Sequence, residues 1–144
     1  MKTRPIFAIV VAIALTAAAC SSSSDDPAAV LAAYEDARNA RDVDALMALY
    51  ADDAVVIGHP LDADELAQGV DEIRALEGQV PAIVGENGST EYGSIEVSGQ
   101  AVTFDQKFVS NEGDCFSSSG NNVSVEDGKI IRYEWGEGDT DVCG

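Results

Sequence analysis

Basic residues are scarce in this chain of 144 residues, which has 8 lysines and arginines against 26 acidic residues and a formal net charge of −18. A surface of this charge repels phosphate backbones, and no basic stripe offsets that repulsion. We therefore exclude nucleic-acid binding. The scattered acidic residues are typical of a solvated surface that keeps a protein soluble.

Several common motifs are also missing. The chain has no Walker loop, no G-x-G-x-x-G fingerprint and no G-x-S-x-G elbow, so nothing indicates a nucleotide cofactor or a serine hydrolase. His59 is the single histidine. The acidic clusters Asp62/Asp64/Glu65 and Asp139-Thr140-Asp141 lack the residue spacing of a calcium loop. We expect neither a cofactor nor a metal ion.

The first residues have the pattern of an export signal. Lys2 and Arg4 precede an apolar run over residues 6–19, which is shorter than the roughly 20 residues needed to span a bilayer. The run ends in Ala17-Ala18-Ala19-Cys20, which resembles the lipobox of bacterial lipoproteins. That resemblance implies a signal peptide over residues 1–19 and a diacylglycerol on the thiol of Cys20. An ordinary secretory signal with a chance cysteine is the alternative.

Residues 20–27 fit a lipidated cysteine followed by a flexible polar tether, because Ser21–Ser24 and two aspartates offer nothing to pack. We expect the mature chain to be anchored on the outer face of the cytoplasmic membrane, or in the outer membrane if the cell is Gram-negative. Signal removal takes away two basic residues, so the mature surface is more negative than the whole chain. The acyl chains, rather than the protein surface, would therefore hold the protein to the membrane.

Beyond the anchor, the cysteines are Cys115 and Cys143. In an oxidising compartment, the simplest prediction for these two cysteines is one disulfide between them. Neither has a second cysteine or a histidine close by in the sequence, so a zinc site is not indicated. We predict a structural disulfide that stabilises the fold by roughly 3–4 kcal/mol in the chain-entropy model.

The remaining residues, 28–144, suffice for one domain with one core. Asp26 followed by Pro27 predicts a helix start, with Val30, Leu31, Tyr34 and Ala37 on one face. Asp42 predicts the start of a second helix with apolar residues at i, i+3, i+4 and i+7. The pair Asp52-Asp53 is expected to end it, and the β-branched run at residues 55–57 predicts a strand.

The chain changes character after about residue 60. Asp62 and Glu65 resemble a capping box for a short third helix, and residues 70–76 predict another turn or two. From about Thr90, alternating apolar residues predict strands, with turns at Ser98-Gly99, Asn111–Asp114 and Glu126–Gly128. In the last strand we expect Ile131, Tyr133 and Trp135 to share a face. Helices followed by a meander of strands indicate an α+β fold.

This order of elements, with the YADDAVV segment, the G-x-x-x-I-R element at Gly69–Arg74 and the closing EDGKIIRYEW strand, resembles the NTF2-like superfamily, and within it the SnoaL-like branch. The resemblance covers about residues 28–136. It implies a cone in which a curved, mostly antiparallel sheet wraps around the N-terminal helices and leaves a pocket at its open end. Many relatives form dimers through the sheet, so a homodimer is an open expectation. Residues that could line the pocket or fill the core are Tyr50, Phe104, Phe108, Tyr133 and Trp135.

The segment VLAAYEDARNARDVDALMALYADDA is similar to ketosteroid isomerases, which belong to this superfamily. In those enzymes a tyrosine of the first helix donates to the substrate oxyanion, and Tyr34 matches it. Their general base is a carboxylate before a proline, where this chain has His59 before Pro60. Their second donor is a protonated aspartic acid, where this chain has Asn121. The resemblance thus retains one of three functional residue types.

Two classes of function follow from the resemblance. His59 could abstract a proton while Tyr34 and Asn121 stabilise an oxyanion, as in an isomerase or a polyketide cyclase. Alternatively, Tyr34 is a core residue, His59 ends a strand, and Asn121 is a turn residue. We favour the second: a membrane-anchored domain that binds a small apolar or amphipathic ligand or a partner protein, without catalysis.

Overall fold

The computed structural model describes residues 25–58, 66–79, 87–110, 113 and 115–139. In this part of the chain there are three helices: α1 at Pro27–Asn39, α2 at Val43–Leu49 and α3 at Val70–Glu77. Among the described residues, no helix combines the length and the apolar character needed to cross a membrane.

The strands of the described part form a single sheet. Their bounds are β1 at Tyr50–Ile57, β2 at Leu66–Gln68, β3 at Ser89–Ser98, β4 at Ala101–Val109, β5 at Cys115–Glu126, β6 at Lys129–Glu134 and β7 at Glu137–Asp139. The spatial order is β2-β1-β6-β5-β4-β3, and β7 pairs with β5 beyond the end of β6. β1 and β6 are parallel, and the other pairs are antiparallel. The predicted α+β fold with a curved, mostly antiparallel sheet is confirmed.

Local signals place both N-terminal helices where the sequence predicted them. The side chain of Asp26 accepts a hydrogen bond from the backbone N–H of Ala28, and Pro27 occupies the first helical position. The side chain of Asp42 caps α2 in the same way, accepting from Ala45 at 2.9 Å. Such caps satisfy backbone donors that a helix leaves unpaired at its start. The turn at residues 126–128 is confirmed too, with Asp127 and Gly128 both at positive φ.

Two predictions about the strands are wrong. Asp52 and Asp53 do not end α2 in a turn, because both lie inside β1 as exposed residues. In β6, the buried side chains are Ile130 and Tyr133, whereas Ile131 is only half-buried. A register shift opposite Ser124/Val125 interrupts the alternation, because a bulge displaces the period of two by one residue.

The core lies between the helices and the concave face of the sheet. Its members are Val30, Leu31, Tyr34, Leu46, Met47, Tyr50, Val56, Ile73, Leu76, Val102, Phe104, Val123, Val125, Ile130 and Tyr133, among others. Phe108, with Phe116 and Trp135 against it, extends this core toward the ends where β4 and β6 finish and β5 begins. The last turns of α1 and α3 reach the core in the same region, through Arg38 and Glu77.

Candidate functional site

An ion pair lies inside the core. Arg38, in the last turn of α1, and Glu77, the last residue of α3, are only 1% and 3% exposed, and the guanidinium Nη2 contacts a carboxylate oxygen of Glu77. Removing two charges from water costs several kcal/mol per ion unless each is well paired. The position of this pair therefore needs support from the groups around it.

Two tyrosines provide part of that support. The Tyr34 hydroxyl donates to Glu77 and accepts from Nη2 of Arg38. The Tyr50 hydroxyl also donates to Oε1 of Glu77, at 3.2 Å. Glu77 therefore accepts from two hydroxyls in addition to its ion pair, and the single hydroxyl hydrogen of Tyr34 is already used.

Burial sets the protonation of this cluster. Burial raises the pKa of Tyr34 well above its ordinary value of 10, and although Arg38 opposes the shift, the negative charge of Glu77 adds to it. Burial and Glu77 likewise raise the pKa of Tyr50. For Arg38, burial alone would lower the pKa, but Glu77 foremost and the tyrosines hold it above its ordinary value. At neutral pH the tyrosines are neutral and the guanidinium is charged.

Aromatic rings surround the guanidinium. Its central carbon lies 4.8 Å from the ring centroid of Tyr34, 5.2 Å from that of Trp135 and 5.7 Å from that of Phe108. The Tyr133 and Trp135 rings stack with their centroids 4.9 Å apart. Cation–π contacts of this kind offset part of the cost of burying the charge.

Several buried polar atoms in this region have no hydrogen-bond partner within the part of the chain that the structure describes. They are Nε and Nη1 of Arg38, Nε2 of Gln106, the hydroxyl of Tyr92 and Oγ1 of Thr90. The nitrogens can only donate, and the two hydroxyls can donate or accept. Because buried polar groups are normally paired, such a concentration requires a reason.

The three strand residues that carry these atoms, Thr90, Tyr92 and Gln106, lie on the inner face of the sheet, and Arg38 of α1 lies against that face. Tyr92 pairs with Gln106 across β3 and β4, and Thr90 pairs with Phe108 two residues away, on the same face. Side chains directly opposite on paired strands lie roughly 5 Å apart. Arg38 lies over Phe108, which places its guanidinium beside the same two residue pairs. We call Arg38, Thr90, Tyr92 and Gln106 the donor patch.

Among the described residues, the side chain of Gln106 makes one hydrogen bond. It is 2% exposed, and its Oε1 accepts a hydrogen bond of 2.9 Å from the Tyr133 hydroxyl. In this arrangement Oε1 is the acceptor, and Nε2 is the end of the amide that has no hydrogen-bond partner among the described residues. Tyr92 is half-buried, but its hydroxyl is fully covered, and burial raises its pKa above the ordinary value.

The residues of the predicted catalytic trio have different surroundings. Tyr34 is fully buried in the cluster with Arg38 and Glu77, and His59 lies outside the described residues. Asn121 is also fully buried, but it lies within β5 rather than in a turn. Whether the three converge therefore stays a prediction.

Asn121 joins backbone segments at an irregular point of the sheet. Its amide nitrogen donates to the carbonyls of Phe104 and Ser118, each at 3.1 Å. Its side-chain oxygen accepts from the Ser118 hydroxyl and from the N–H of Gly136. The register of the β4–β5 pair changes between residues 104 and 106, and β7 begins just beyond Gly136. The Asn121 amide therefore bonds backbone groups that the regular pairing of strands does not use.

The other predicted site residues divide by location. Of the pocket candidates, Tyr50, Phe104, Phe108 and Tyr133 are buried in the core, and Trp135 is half-buried. Cys115 is buried at the start of β5. Cys20, Cys143 and the acidic residues at positions 62, 64 and 65 lie outside the described residues. Lipidation and the disulfide therefore stay predictions.

The sequence carries a signal for the buried pair of Arg38 and Glu77. Arg38 lies four residues after Tyr34 and seven after Leu31, which puts a charge on the apolar stripe of α1. Glu77 lies four residues after Ile73, on the apolar stripe of α3. A basic and an acidic residue on two buried stripes indicate an internal ion pair. Gln106 had a weaker signal, as a polar residue at an inward position between Phe104 and Phe108.

A separate depression of about 340 Å³ crosses β3, β4 and β5. Tyr92, Gln106 and Ser118 are consecutive partners across these strands and direct their side chains inward. The neighbouring residues alternate to the outside, so the depression lies on the outer face. Its lining consists of Glu91, Gly93, Asp105, Lys107, Ser117 and Ser119, together with Tyr92, Gln106 and Ser118.

The family follows from comparison with known proteins. The profile of the SnoaL-like domain matches residues 30–133, which is more than half of the chain. The chain belongs to the SnoaL-like domain family, within the NTF2-like fold. No curated protein sequence matches it.

Solved structures share the fold. A candidate polyketide cyclase of Sinorhizobium meliloti is 24% identical, with 78% of this chain and 97% of that chain covered and a TM-score of 0.61. A candidate ketosteroid isomerase of Kribbella flavida is 18% identical, with coverages of 77% and 78% and a TM-score of 0.64. A cystatin-fold protein of Novosphingobium aromaticivorans is 19% identical, with coverages of 78% and 98% and a TM-score of 0.64. At these identities the likeness establishes the fold alone.

Proposed function

We propose that this chain is an exported, lipid-anchored SnoaL-like domain that binds a small, neutral, mostly apolar ligand without chemical conversion. The ligand carries a hydrogen-bond acceptor, such as a carbonyl or ether oxygen, that meets the donor patch. The cellular part of this proposal rests on residues 1–20 of the sequence, and the binding part rests on the donor patch.

The observation that carries the binding role is the excess of buried donors. Leaving one buried polar group unpaired lowers the stability of a fold by roughly 1–3 kcal/mol, so the free domain is destabilised at each of Arg38, Gln106 and Tyr92. A ligand that supplies acceptor atoms removes part of that cost on binding. Ordered water is the competing occupant, and displacing it weakens the gain.

Charge selects a neutral ligand. Glu77 already neutralises Arg38, and burial disfavours any further uncompensated charge. An anionic ligand would also be repelled by the chain, whose net charge is −18. The aromatic rings of Tyr34, Phe108 and Trp135 favour an apolar, flat partner for the rest of the ligand.

The hydrogen bonds that Tyr34 and Asn121 already make argue against catalysis by the trio. An oxyanion donor needs a hydrogen that is not already used, and Tyr34 gives its hydrogen to Glu77. Asn121 gives its amide hydrogens to the Phe104 and Ser118 carbonyls. Catalysis would require both to exchange their present partners for substrate.

Binding can be tested with three naphthalene probes of similar size: 2-acetylnaphthalene, 2-ethylnaphthalene and 2-naphthoate. We expect the ketone to perturb the NMR signals of Gln106 and Trp135 and to bind more tightly than the other two. The matched variant is Tyr92→Phe, which removes a hydroxyl with no partner among the described residues and so leaves folding intact. Loss of one neutral hydrogen bond should weaken ketone binding by roughly fivefold. Equal binding of all three probes, or no binding, would refute the acceptor requirement.

The isomerase or cyclase alternative is tested separately with a β,γ-unsaturated ketone. Turnover that disappears in both His59→Ala and Tyr34→Phe would establish catalysis and replace the present proposal. Saturable binding without turnover supports it. Copurification of a stoichiometric protein that covers the site would instead favour a partner protein as the occupant.

Anchoring is tested by flotation with phosphatidylcholine vesicles after expression in a bacterium that processes lipoproteins. We expect the wild-type chain to float and Cys20→Ser to remain in the soluble fraction. A wild-type chain that stays soluble would contradict the anchor and leave the binding test unaffected.

A further inference from the structure

The β3–β4 hairpin ends in an exposed apolar tip. Residues 93–100 are all exposed, and they include Ile95 and Val97 at 50% and 52%. Among the described residues, Leu66 is the other large hydrophobic residue with this degree of exposure. Isolated exposed apolar side chains are common, but two on one face of a protruding hairpin form a surface to be explained.

Ile95 and Val97 continue the inner face of the sheet. Val97 pairs with Val102, which is fully buried, so the two side chains lie on the same face. Ile95 lies at the register shift between β3 and β4, which places it opposite the inward-facing Phe104 and therefore on the same face as Val97. Glu96, the charged residue of the tip, alternates to the opposite face. The apolar inner face thus extends past the cover that the helices provide.

The start of α1 lies at the same end of the molecule as this tip. Asn39 exchanges two hydrogen bonds of 2.8 Å with the backbone of Thr90, and Glu35 accepts from the N–H of Tyr92 at 3.1 Å. Moving back along α1 therefore corresponds to moving forward along β3. At ~1.5 Å per helical residue and ~3.3 Å per strand residue, Pro27 lies ~18 Å from the Asn39 level and Val97 lies ~23 Å from it.

The short segment between Cys20 and α1 also limits how far the lipid anchor can lie from the tip. Seven positions separate Cys20 from Pro27 in the sequence, and a segment of that length spans at most about 25 Å. A lipid on Cys20 would hold the start of α1 within that distance of the bilayer. The hairpin tip, at the same end, is then the apolar surface that meets the lipid.

We infer that Ile95 and Val97 form a membrane-contact tip that inserts into the headgroup region of a zwitterionic phospholipid surface and orients the anchored domain. This inference rests on the lipid anchor of the proposed function. The donor patch lies at the other end of α1 and β3, near Arg38 and Thr90. Contact through the tip therefore directs the ligand site away from the membrane.

The test uses the lipidated chain on vesicles that contain bromine-labelled phosphatidylcholine, which quenches tryptophan at the depth of the bromine atoms. Ile95→Trp adds a tryptophan at the tip, and Leu66→Trp adds one at an equally exposed position in β2, at the opposite edge of the sheet. Trp135 emits in both variants, so its emission is the same background in each. We expect the quenched fraction to be roughly twofold larger for Ile95→Trp, since interfacial groups penetrate by about 5–10 Å.

The outcomes separate this inference from the anchor. If the wild-type chain floats but Ile95→Trp is quenched no more than Leu66→Trp, the membrane-contact tip is refuted and the anchor stands. If the wild-type chain does not float, both fail. If the unlipidated Cys20→Ser domain sediments as a dimer that Val97→Glu dissociates and Leu66→Glu does not, the tip contacts a second copy instead.

Discussion

Arg38 and Glu77 are 39 positions apart in the sequence, yet they form an ion pair inside the core at the last turns of two helices. Each is almost fully covered, and each has further partners among the surrounding tyrosines and aromatic rings. The pair joins the end of α1 to the end of α3, and it holds the guanidinium of Arg38 in the donor patch.

Removing one partner of this pair should destabilise the fold strongly. We expect Glu77→Gln to lower the free energy of unfolding by about 3–5 kcal/mol, because Arg38 keeps an uncompensated charge in the core. The double variant Arg38→Met/Glu77→Leu should recover most of that loss. Urea denaturation of both variants measures the difference. A cost below about 1 kcal/mol for Glu77→Gln would mean that water reaches the pair.

Asn121 should act as a structural residue. We expect Asn121→Ala to reduce stability by about 2–4 kcal/mol, because it removes the side-chain hydrogen bonds to the buried carbonyls of Phe104 and Ser118 and to the part-buried N–H of Gly136. The neighbouring Asn122 is only half-buried, and among the described groups its side chain donates one hydrogen bond, to the Thr103 hydroxyl, so Asn122→Ala should change stability by less than about 1 kcal/mol. Equal effects of the two substitutions in thermal denaturation would contradict this role.

Gly136 permits the close approach of the chain to β5. A Cβ atom at this position would lie 1.9 Å from the carbonyl oxygen of Ser119 and 2.9 Å from the backbone nitrogen of Asn121. Backbone atoms on both sides leave no flexible side chain to move away, so Gly136→Ala should cost about 3 kcal/mol or more. Gly93→Ala is the control, since its Cβ would meet nothing within 4 Å. If chemical denaturation gives similar stabilities for both variants, the chain after β6 does not approach β5 this closely.

Alkaline pH should unfold the domain before its tyrosines ionise. All four tyrosines of the chain have a raised pKa in the folded state, with burial as the largest cause. Below pH 10 the folded and unfolded states carry the same tyrosine protons, so this contribution to stability is complete. Above about pH 10 the unfolded state loses protons that the folded state keeps, and stability falls as pH rises.

Absorbance of tyrosinate at 295 nm, recorded as the pH is raised, measures the ionisation of the tyrosines. It should rise in one step together with the loss of circular dichroism. A tyrosine that ionises near pH 10 in a domain that is still folded would contradict the burial of at least one ring.

The disulfide between Cys115 and Cys143 can be tested by counting thiols. The purified Cys20→Ser domain, denatured without reductant, should show no reactive thiol, and two after reduction. Cys143→Ser should lower stability by roughly 3–4 kcal/mol, because the loop that the bridge closes is released in the unfolded state. Two reactive thiols before reduction would contradict the pairing.

Features that depend on a few neighbouring residues could be predicted from the sequence alone. Asp26-Pro27 and Asp42 start their helices because a side-chain oxygen or a missing N–H satisfies the first turn locally. The hairpin turn at residues 126–128 follows from residues that tolerate positive φ. The order of these elements also sufficed to identify the α+β fold and the family.

Tertiary structure decided the roles of residues whose partners are distant in the chain. A lone charge on an apolar stripe, such as Arg38, has no assigned partner until the fold brings the last residue of α3 to the last turn of α1. The bulge that buries Ile130, and the irregular pairing that employs Asn121, depend on strands whose register no local pattern specifies. The physical reason is that a buried polar group is tolerated only when a partner meets it, and long-range packing alone supplies that partner.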